Sequence, residues 1–408
     1  MKRKFNGSIL ALVLAGGRGE RLYPLTLERT KPSVPFGGKY RIIDFALSNL
    51  INSGIYSIYV LVQYKSQSLI EHIRTTWIKE GLIPKHFITV VPPQMRREDL
   101  KEWYRGTADS VYQNINLIYD FKPRLVAIFG GDHTYRMNIR DMVEYHLEKK
   151  AQITISVTPV EAKVAYQFGI VEVDKNFKIK VFKEKPFFTS SKVVFASMGN
   201  YIFNTDLLVE ILEEDAKRDT SHDFGKDIIP QLVKKRARIF AYDFSKNRIP
   251  SLKEYEAMYY WQDVGTISSY WKANMDLLGE RPKIDLNNPS WPIYASHLNC
   301  SPAYTINSRI ENSLICEGAK IFSSRIKNSI IGRGVEIFNS LIEDSIVMDF
   351  TRIEESCKVR KTIIDRFNFI SKKTKIGYKK ENDKRDYYLD SSGIVVVKRG
   401  SRILQNNF

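Results

Sequence analysis

The stretch ILALVLAGGRGERL, residues 9–22, decides how the amino-terminal part of this chain folds. Its first six residues form an uninterrupted apolar run, which is typical of a strand buried on both faces of a parallel sheet. The glycines that follow let the backbone approach a phosphate closely and point amide groups at it. Arg18 and Arg21 can grip phosphate oxygens with their forked guanidinium groups, and Lys31 adds a point charge. The stretch predicts a phosphate-binding turn after a buried strand, although a tight turn with surface arginines would explain the glycines alone.

Strands and helices alternate through the first two thirds of the chain. Short apolar runs that end in glycine or polar residues indicate strands, and apolar residues at helical spacing indicate helices. The alternation predicts an α/β fold with a Rossmann-like, mostly parallel sheet and helices on both faces, in which ligands bind at the carboxyl ends of the strands. Strands are predicted at Ile9–Leu14, Ser57–Val62, Arg124–Phe129 and Ile153–Val157, and helices at Ile42–Asn52 and Ser66–Lys79.

The chain changes character after Leu278. Four prolines between Arg281 and Thr305, without periodicity, predict a linker. Beyond it, aliphatic residues recur every five or six positions, a spacing that fits a β-helix of short parallel strands rather than a helix or a hairpin. We therefore expect a first domain at 1–280, a linker at 281–307 and a β-helix at 308–408 that serves in packing and oligomer contacts. The recurring positions are Ile315, Ile321, Ile326, Ile331, Ile337, Ile342, Val347, Ile353, Val359, Ile364, Ile370 and Ile376.

The composition is that of a globular protein, with 43% hydrophobic and 27% charged residues among 408. Since neither a run of about 18 uncharged apolar residues nor an export signal is evident, we expect no membrane span and no secretion. Three cysteines without metal-ligand spacing favour a reducing compartment, so a cytoplasmic location is expected. The net charge of +17 is dispersed, which favours solvated surface or binding of small polyanions over binding of nucleic acid.

Two aspartates stand next to turns at the ends of predicted strands. Asp132 follows the strand at 124–129 after two glycines, and Asp263 begins the turn sequence DVGT at 263–266. Carboxylates that converge at a sheet edge can hold Mg²⁺, which prefers oxygen ligands. For each aspartate alone, capping of a turn is the commoner explanation. Both interpretations stay open on these residues alone.

Longer motifs follow one another in the order found in a known family. They are PFGGKYRIIDFALSN (35–49), WYRGTAD (103–109), GDH (131–133), FKEKP (182–186), ASMG (196–199), SHDFGKD (221–227) and DVGT (263–266). Together with the opening turn, they make nearly the whole chain resemble the bacterial glucose-1-phosphate adenylyltransferases, a branch of the sugar-nucleotide pyrophosphorylases. The resemblance implies a nucleotidyltransferase domain followed by a left-handed parallel β-helix. It also implies ATP and glucose 1-phosphate as substrates, Mg²⁺ as cofactor and assembly as a homotetramer.

The resemblance implies roles for individual residues. Arg18, Lys31 and Asp132 are implied as catalytic residues, and Asp132 and Asp263 as ligands of Mg²⁺. An ordinary surface ion pair is the alternative for Glu184 and Lys185, and a local hydrogen bond is the alternative for His133. Implied nucleotide contacts are Leu14, Ala15, Gly16, Gly17, Arg18, Gln63, Gly106 and Thr107, with Tyr64 a weaker candidate. Implied contacts with glucose 1-phosphate are Tyr104, Gly169, Glu184, Lys185 and Ser197.

Members of this family commonly bind phosphorylated metabolite effectors between the two domains. In this chain Glu28 stands where the enterobacterial branch has an activator-binding lysine, and Asp120 and Pro35 replace an arginine and a histidine. Because a carboxylate repels phosphate oxygens, we expect an altered effector or weak regulation. Ordinary interdomain ion pairs are the alternative for the positions that do match the effector site, which are Arg41, Arg366 and Arg399.

Two other functions are compatible with the same sequence. The opening turn is shared with uridylyl-, thymidylyl- and guanylyltransferases, so another base (UTP or dTTP) or another sugar, such as an N-acetylated sugar phosphate, is an alternative. The uridylyl family carries a β-helix with more regular hexapeptides than the ones seen here. A non-catalytic regulatory homologue is the second alternative, and it is disfavoured because the chain keeps the charged residues that handle phosphate.

Overall fold

The computed structural model describes residues 8–77, 85–93, 103–186, 193–296 and 298–403. None of the helices within these ranges is long and apolar enough to cross a membrane. Short 3₁₀ helices lie at Glu20–Leu22, Lys31–Ser33, Ala162–Gln167 and Phe244–Lys246, and a π-helical turn at Phe224–Ile228. The α-helices are α1 (Ile42–Asn52), α2 (Gln67–Thr76), α3 (Thr107–Tyr112), α4 (Ile115–Phe121), α5 (Ile139–Glu148), α6 (Thr205–Asp215), α7 (Ile229–Lys234), α8 (Ile267–Met275) and α9 (Lys380–Asp386).

The first part of the chain is built on one large twisted sheet. The predicted strands and helices are present with ends shifted by one residue or less, except that the strand from Ile153 continues to Glu161 and helix α2 ends at Thr76. Residues 78 and 79 of that predicted helix lie outside the described residues. The strands are β1 (Ile9–Leu14), β2 (Pro35–Phe36), β3 (Tyr40–Arg41), β4 (Ser57–Leu61), β5 (Phe87–Val91), β6 (Leu125–Gly130), β7 (His133–Tyr135), β8 (Ile153–Glu161), β9 (Gly169–Val173), β10 (Ile179–Glu184), β11 (Val193–Asn204), β12 (Ile239–Asp243) and β13 (Trp261–Asp263).

The order of the large sheet is β10-β9-β11-β6-β1-β4-β5, with β8 beside β11 and β12 beside β8. Strands β6, β1, β4 and β5 are parallel, as the alternation of strands and helices predicts. The long strand β11 runs antiparallel to β6 and β8 and joins this parallel group to the parallel pair of β8 and β12. Because β1, β4 and β6 run in the same direction, their carboxyl ends form one edge of the sheet.

A small two-stranded sheet lies at this edge. Strand β7 follows β6 after a turn, and it pairs antiparallel with β13 so that His133 is opposite Asp263. The turn that carries Asp132 is therefore brought next to a strand that is distant in sequence. This pairing positions both predicted carboxylates at the carboxyl edge of the large sheet.

The second part of the chain is the predicted β-helix, with three parallel sheets stacked rung on rung. Equivalent residues of successive rungs are 16 positions apart in the first rungs and 17 further along. The aliphatic residues from Ile321 to Ile376 in the predicted spacing fill its interior and are fully buried. Its strands are β14 (Tyr304–Ile306), β15 (Arg309–Glu311), β16 (Leu314–Ile315), β17 (Lys320–Phe322), β18 (Arg325–Lys327), β19 (Ile330–Ile331), β20 (Glu336–Phe338), β21 (Leu341–Glu343), β22 (Ile346–Val347), β23 (Arg352–Ile353), β24 (Lys358–Arg360), β25 (Thr362–Ile364), β26 (Phe369–Ile370), β27 (Lys375–Ile376), β28 (Tyr388–Leu389), β29 (Val395–Val397) and β30 (Arg402–Ile403).

Serine ladders hold the rungs in register. The amide of Ser324 donates to the hydroxyl of Ser308, and the amide of Ser340 donates to the hydroxyl of Ser324, each across 16 residues. A parallel ladder runs from Ser313 through Ser329 to Ser345. Because each hydroxyl satisfies an amide of the next rung, buried polar groups at the corners stay paired.

The segment between the two parts is packed against the first domain. Residues 281–296 and 298–303 contain neither helix nor strand, and Ile284, Trp291 and Ile293 are buried. Arg136 of the first domain donates to the backbone oxygen of Asp285 and pairs with Glu256 at 2.8 Å. The segment predicted as a linker is thus a closely packed connection, and the first strand of the β-helix, β14, already begins within it.

The β-helix packs on the segment that follows the glycine turn. Arg29 and Asp365 form an ion pair in which both side chains are only 2% exposed, and the Nε of Arg29 donates to the backbone oxygen of Leu25 at 2.9 Å. Helix α8 adds a hydrogen bond of 3.0 Å from Trp271 Nε1 to the backbone oxygen of Asp344. Residues of both parts share one apolar cluster that includes Phe45 and Ile363. The β-helix therefore supports the loop that carries Lys31.

We predict that Arg29→Met lowers the free energy of unfolding by about 3–5 kcal/mol, because Asp365 would keep a buried charge without its partner. Denaturant unfolding followed by circular dichroism measures the change. Arg399→Met is the matched control, since its pair with Glu28 is partly exposed and is expected to contribute less than about 1 kcal/mol. Equal, small losses in both variants would contradict a structural role for the buried pair.

Candidate active site

The glycine turn and the predicted phosphate-handling residues line one cleft of about 830 Å³ at the carboxyl edge of the sheet. Arg18 and Asp132 lie on the walls of the same cleft, as the sequence interpretation requires. Ala15 lies just behind the wall, buried, with its amide bonded to the backbone oxygen of Leu61. The predicted residues in the wall are Leu14, Gly16, Gly17, Arg18, Lys31, Gln63, Tyr64, Tyr104, Gly106, Thr107, Asp132, His133 and Glu184.

The glycine turn is shaped by close packing on its neighbours. Gly19 has a φ of 63°, in the left-handed region that glycine adopts without strain, and a Cβ there would lie 3.0 Å from the Cβ of Lys31. A Cβ on Gly16 would lie 3.0 Å from the Cβ of Gln63. These two glycines therefore allow the turn to lie directly against Lys31 and the end of strand β4.

Arg18 is held at the mouth of the cleft by aromatic side chains. Its Nη2 donates to the hydroxyl of Tyr64 at 3.1 Å, and its guanidinium group lies 4.7 Å from the centre of that ring. Tyr64 in turn stacks on Trp103, with ring centres 5.1 Å apart. Its Nη1 lies 3.7 Å from Glu20 Oε1 in an exposed pair, and because the Arg18 side chain is 63% exposed, an anionic ligand can reach the guanidinium group.

Lys31 joins the two predicted carboxylates. Its Nζ lies 3.0 Å from Asp132 Oδ2 and 2.6 Å from Asp263 Oδ1, and the lysine side chain is only 7% exposed. Burial alone would lower the pKa of Lys31, but attraction to Asp132 and Asp263 outweighs it and raises the pKa above its ordinary value. Burial alone would likewise raise the pKa of Asp132, and the charges of His133 and Lys31 instead lower it well below the ordinary value. Lys31 and Asp132 are therefore both charged throughout the neutral pH range.

The same cluster provides ligands for a divalent cation. One ligand atom each from Asp132, His133 and Asp263 lie within 4.8 Å of one another. His133 is fixed by stacking on Trp261, with ring centres 5.0 Å apart. Arg21 adds a positive charge 3.7 Å from Asp263. The two carboxylates match the oxygen donors that Mg²⁺ prefers, and Lys31 already contacts both of them.

Glu184 faces the opposite side of the cleft. Burial, followed by the charge of Asp223, raises the pKa of Glu184 above its ordinary value. Gly169 and Gly225 leave room for the Glu184 carboxylate. A Cβ on Gly169 would lie 2.8 Å from Glu184 Oε2, and a Cβ on Gly225 would lie 2.6 Å from the same atom. The hydroxyl of Tyr104 accepts a hydrogen bond of 2.9 Å from Asn114 and is thereby oriented. Glu184 and Tyr104 thus give the cleft polar groups suited to hydroxyl ligands.

Three residues of the predicted sugar-phosphate set lie outside the cleft wall among the described residues. Gly169 does not line the cleft, but its lack of a side chain leaves space for the carboxylate of Glu184. Lys185 has a φ of 48°, and its Nζ is 3.8 Å from Glu184 Oε1 on a side chain that is 59% exposed. Ser197 is buried and accepts a hydrogen bond of 3.3 Å from the amide of Gly199, which does line the cleft. Of these three, Lys185 has the freedom to swing toward a ligand.

Further residues of the wall were not assigned from the sequence. The SHDFGKD motif contributes Asp223, Phe224 and Gly225, and the ASMG motif contributes Gly199. These motifs carry the resemblance, but no local pattern shows which of their side chains face a ligand. Arg21, which the sequence predicts to grip phosphate, also lines the wall, and the other unassigned wall residues include Gly19, Glu20, Arg105, Ser110, Tyr201 and Gly265.

The predicted effector arginines lie where the β-helix meets the first domain. Arg41 is buried and donates to the backbone oxygen of Ser33, and burial, then the charges of Arg366 and Arg29, lower its pKa to about 9. Arg366 lies 3.6 Å from Asp349. Arg399 pairs with Glu28 at 3.1 Å. Glu28, which stands in place of the enterobacterial lysine, therefore neutralises the charge of an arginine that an effector phosphate would contact.

We predict that Lys31→Met tightens binding of Mn²⁺ in the absence of nucleotide. A cation of charge two repels an ammonium about 4 Å away by about 2 kcal/mol even in bulk water, which corresponds to roughly thirtyfold in affinity. Electron paramagnetic resonance of free Mn²⁺ measures the affinity. Arg21→Met is the control with a smaller expected effect, because that side chain is 63% exposed. Weaker or equal binding by Lys31→Met would show that lysine and metal do not compete.

Comparison with known proteins agrees with this arrangement. Residues 10–280 match the family model for nucleotidyl transferases, and residues 302–397 match the model for the GlmU-like C-terminal hexapeptide. A glucose-1-phosphate adenylyltransferase of Thermodesulfovibrio yellowstonii is 48% identical over 97% of both chains. Proteins of the same name from Thermus thermophilus and Photobacterium profundum are 51% and 44% identical, over 72% and 97% of this chain and 73% and 99% of theirs. The chain therefore belongs to the nucleotidyl transferase family and, within it, to the glucose-1-phosphate adenylyltransferases.

Proposed function

We propose that this protein transfers the adenylyl group of ATP to α-D-glucose 1-phosphate, forming ADP-glucose and releasing diphosphate. The observation that carries the proposal is one cleft whose wall contains the glycine turn, Lys31, Asp132 and Glu184, with Asp263 in contact with Lys31. The relatives of 44–51% identity are named for this activity. A reaction that joins two phosphorylated substrates needs one anion site on each side of the reacting atoms. The basic residues of the glycine turn and Lys31 suit one of them, and Lys185, which pairs with Glu184 just outside the cleft wall, is the candidate for the other.

The glycine turn and the basic residues around it suit the triphosphate. Gly16 and Gly17 line the cleft together with Arg18 and Arg21. As the bond between the α-phosphorus and the bridging oxygen breaks, negative charge grows on the leaving diphosphate. The two arginines can stabilise this charge with paired hydrogen bonds, and Lys31, which lines the same cleft, can neutralise charge at the α-phosphate.

The opposite wall suits the sugar phosphate. Glu184 can accept hydrogen bonds from glucose hydroxyls, and Lys185 can turn from its surface pair to meet the phosphate. A phosphate oxygen of glucose 1-phosphate then attacks the α-phosphorus in line with the leaving diphosphate. This oxygen is already ionised at neutral pH. The residues of the cleft therefore need only to position the two substrates and neutralise their phosphate charges, and no general base has to remove a proton.

Asp132 and Asp263 are the residues that would hold Mg²⁺. The fit rests on two observations. Oxygens of both carboxylates contact Nζ of Lys31, and one oxygen of Asp132 lies within 4.8 Å of one oxygen of Asp263. When bound, the metal supplies charge neutralisation at the phosphates. The lysine that contacts both carboxylates would then be released toward the triphosphate, which is the ligand it complements in charge.

The alternative of a uridylyltransferase has one observation in its favour, the match of residues 302–397 to a GlmU-like hexapeptide model. Against it, the rungs of this β-helix repeat every 16 or 17 residues rather than as three regular hexapeptides. The non-catalytic alternative is disfavoured, because Arg18, Lys31 and Asp132 line the cleft with their charges in place.

We predict that the purified protein releases diphosphate from ATP with glucose 1-phosphate at least about tenfold faster than from UTP, dTTP or GTP, since a base-specific site rejects analogues that leave its polar groups unpaired. A diphosphate-release assay with each nucleotide and Mg²⁺ measures the preference. Asp132→Asn is expected to lower kcat/KM by at least about a hundredfold. Asp206→Asn, at an exposed position on helix α6, is the control. Preference for another base, or full activity of Asp132→Asn, would refute the assignment.

The biological setting is part of the proposal. ADP-glucose is a glucosyl donor, so the product would supply synthesis of glycogen or a related α-glucan. A cytoplasmic location is supported by the three cysteines, which are all free. A homotetramer and a phosphorylated metabolite effector are proposed from the resemblance, with the β-helix as the contact surface.

We predict that fructose 1,6-bisphosphate activates this enzyme far less than its enterobacterial relatives. Arg399 is already paired with Glu28, and a carboxylate beside the effector phosphate raises the free energy of binding. Initial rates with and without the effector measure the response. Glu28→Lys is expected to increase activation, because it restores a positive charge at this position. Strong activation of the wild type that Arg399→Ala abolishes would contradict this prediction.

A further inference from the structure

The segment 219–225 joins the two sides of the cleft. Its last residues, Asp223 and Gly225, line the cleft on the sugar side next to Glu184. On the nucleotide side, Gly106 and Thr107 at the start of helix α3 line the same cleft. Between these two sides lies His222, which is 2% exposed and has no part in the chemistry described above.

The backbone of His222 holds the start of helix α3. Its carbonyl oxygen accepts hydrogen bonds from the amides of Ala108 at 2.9 Å and Asp109 at 3.1 Å. The approach is close, because a Cβ on Gly106 would lie 2.3 Å from the carbonyl oxygens of both Ser221 and His222. His222 itself has a φ of 50°, in the left-handed region that most side chains disfavour. The interaction with α3 therefore depends on keeping an unfavourable backbone conformation.

The side chain of His222 is the group that fixes this conformation. Its Nδ1 lies 2.7 Å from Asp215 Oδ2 at the end of helix α6, with both side chains at most 3% exposed. Because an ionised carboxylate only accepts hydrogen bonds, Nδ1 is the donor. Thr220 donates its hydroxyl to Asp215 Oδ1 at 3.0 Å and accepts from the amide of His222 at 3.1 Å. Asp215 thus anchors the segment by two side chains.

The residues after His222 connect its backbone to both substrate subsites. The hydroxyl of Thr107 donates to Asp223 Oδ2 at 2.9 Å and accepts from the amide of Phe224 at 3.0 Å. The other oxygen of Asp223 accepts from the amides of Gly225 and Lys226 at 2.9 and 3.1 Å. Gly225 then packs directly against the carboxylate of Glu184. A shift of residue 222 would therefore move the nucleotide side and the sugar side together.

We propose that His222, held by Asp215, is a positioning residue that keeps the nucleotide and sugar-phosphate subsites in register. The inference rests on the proposed function for the identity of the two substrates. It assigns to the SHDFGKD motif a role beyond lining the cleft. If His222 has this role, loss of its one buried hydrogen bond to Asp215 weakens binding of both substrates.

The test compares His222→Ala with His222→Asn. Alanine removes the donor to Asp215, whereas the amide nitrogen of asparagine occupies the place of Nδ1, and asparagine tolerates the left-handed conformation. We expect His222→Ala to raise the KM of ATP and that of glucose 1-phosphate by about tenfold each, the effect of losing roughly one buried charge-assisted hydrogen bond. We expect His222→Asn to keep both values within about threefold of the wild type, since it restores that bond. Glu184→Gln is the one-sided control and should raise only the KM of glucose 1-phosphate.

Hydrogen exchange of the free protein gives a readout that does not depend on substrate. The amides of Ala108 and Asp109 should exchange faster in His222→Ala and return to wild-type rates in His222→Asn. If His222→Ala does not fold, Asp215→Ala, which removes the acceptor of the same hydrogen bond, takes its place, and the same joint rise is expected. A rise in one KM alone, or unchanged values in a folded variant, would overturn the inference. A wild type that does not turn over ATP and glucose 1-phosphate would refute the proposed function and leave the exchange result to decide on His222.

Discussion

The bridge from Lys31 to Asp132 and Asp263 is the constraint on which the active-site cleft depends. One ammonium group, almost fully buried, contacts two carboxylates that come from the turn after β6 and from strand β13. Two carboxylates at this distance would repel each other without a cation between them. The bridge therefore fixes the distance between the two groups that are proposed to hold the metal.

The position of Lys31 is itself held from both sides along the chain. Two residues before it, Arg29 reaches the β-helix through the buried pair with Asp365. Two residues after it, the backbone oxygen of Ser33 accepts a hydrogen bond from Arg41, which packs near Arg366 of the β-helix. The β-helix thus acts on the site through the backbone of one short loop. This connection gives a physical route by which a ligand bound at the domain junction can alter catalysis. At that junction, Arg399 already forms an ion pair with Glu28.

Local patterns in the sequence were sufficient for much of the fold. The apolar run of residues 9–14, the periodicity of residues 42–52 and the aliphatic spacing of the β-helix each depend on neighbours in sequence, and each is confirmed. The antiparallel direction of β11 could not be predicted, because strand pairing is decided by partners far along the chain. The same limit applies to the site. The glycine turn, Lys31 and Asp132 are recognisable from local sequence, whereas the role of Asp223 depends on Thr107, 116 residues away.

The most direct measurement is a crystal structure of the protein with Mg²⁺, a non-hydrolysable analogue of ATP and glucose 1-phosphate. We predict a metal ion on Asp132 and Asp263, the triphosphate against the glycine turn with Lys31 turned toward it, and the glucose ring beside Glu184. Nucleotide bound elsewhere, with Lys31 still bridging the two aspartates, would contradict it.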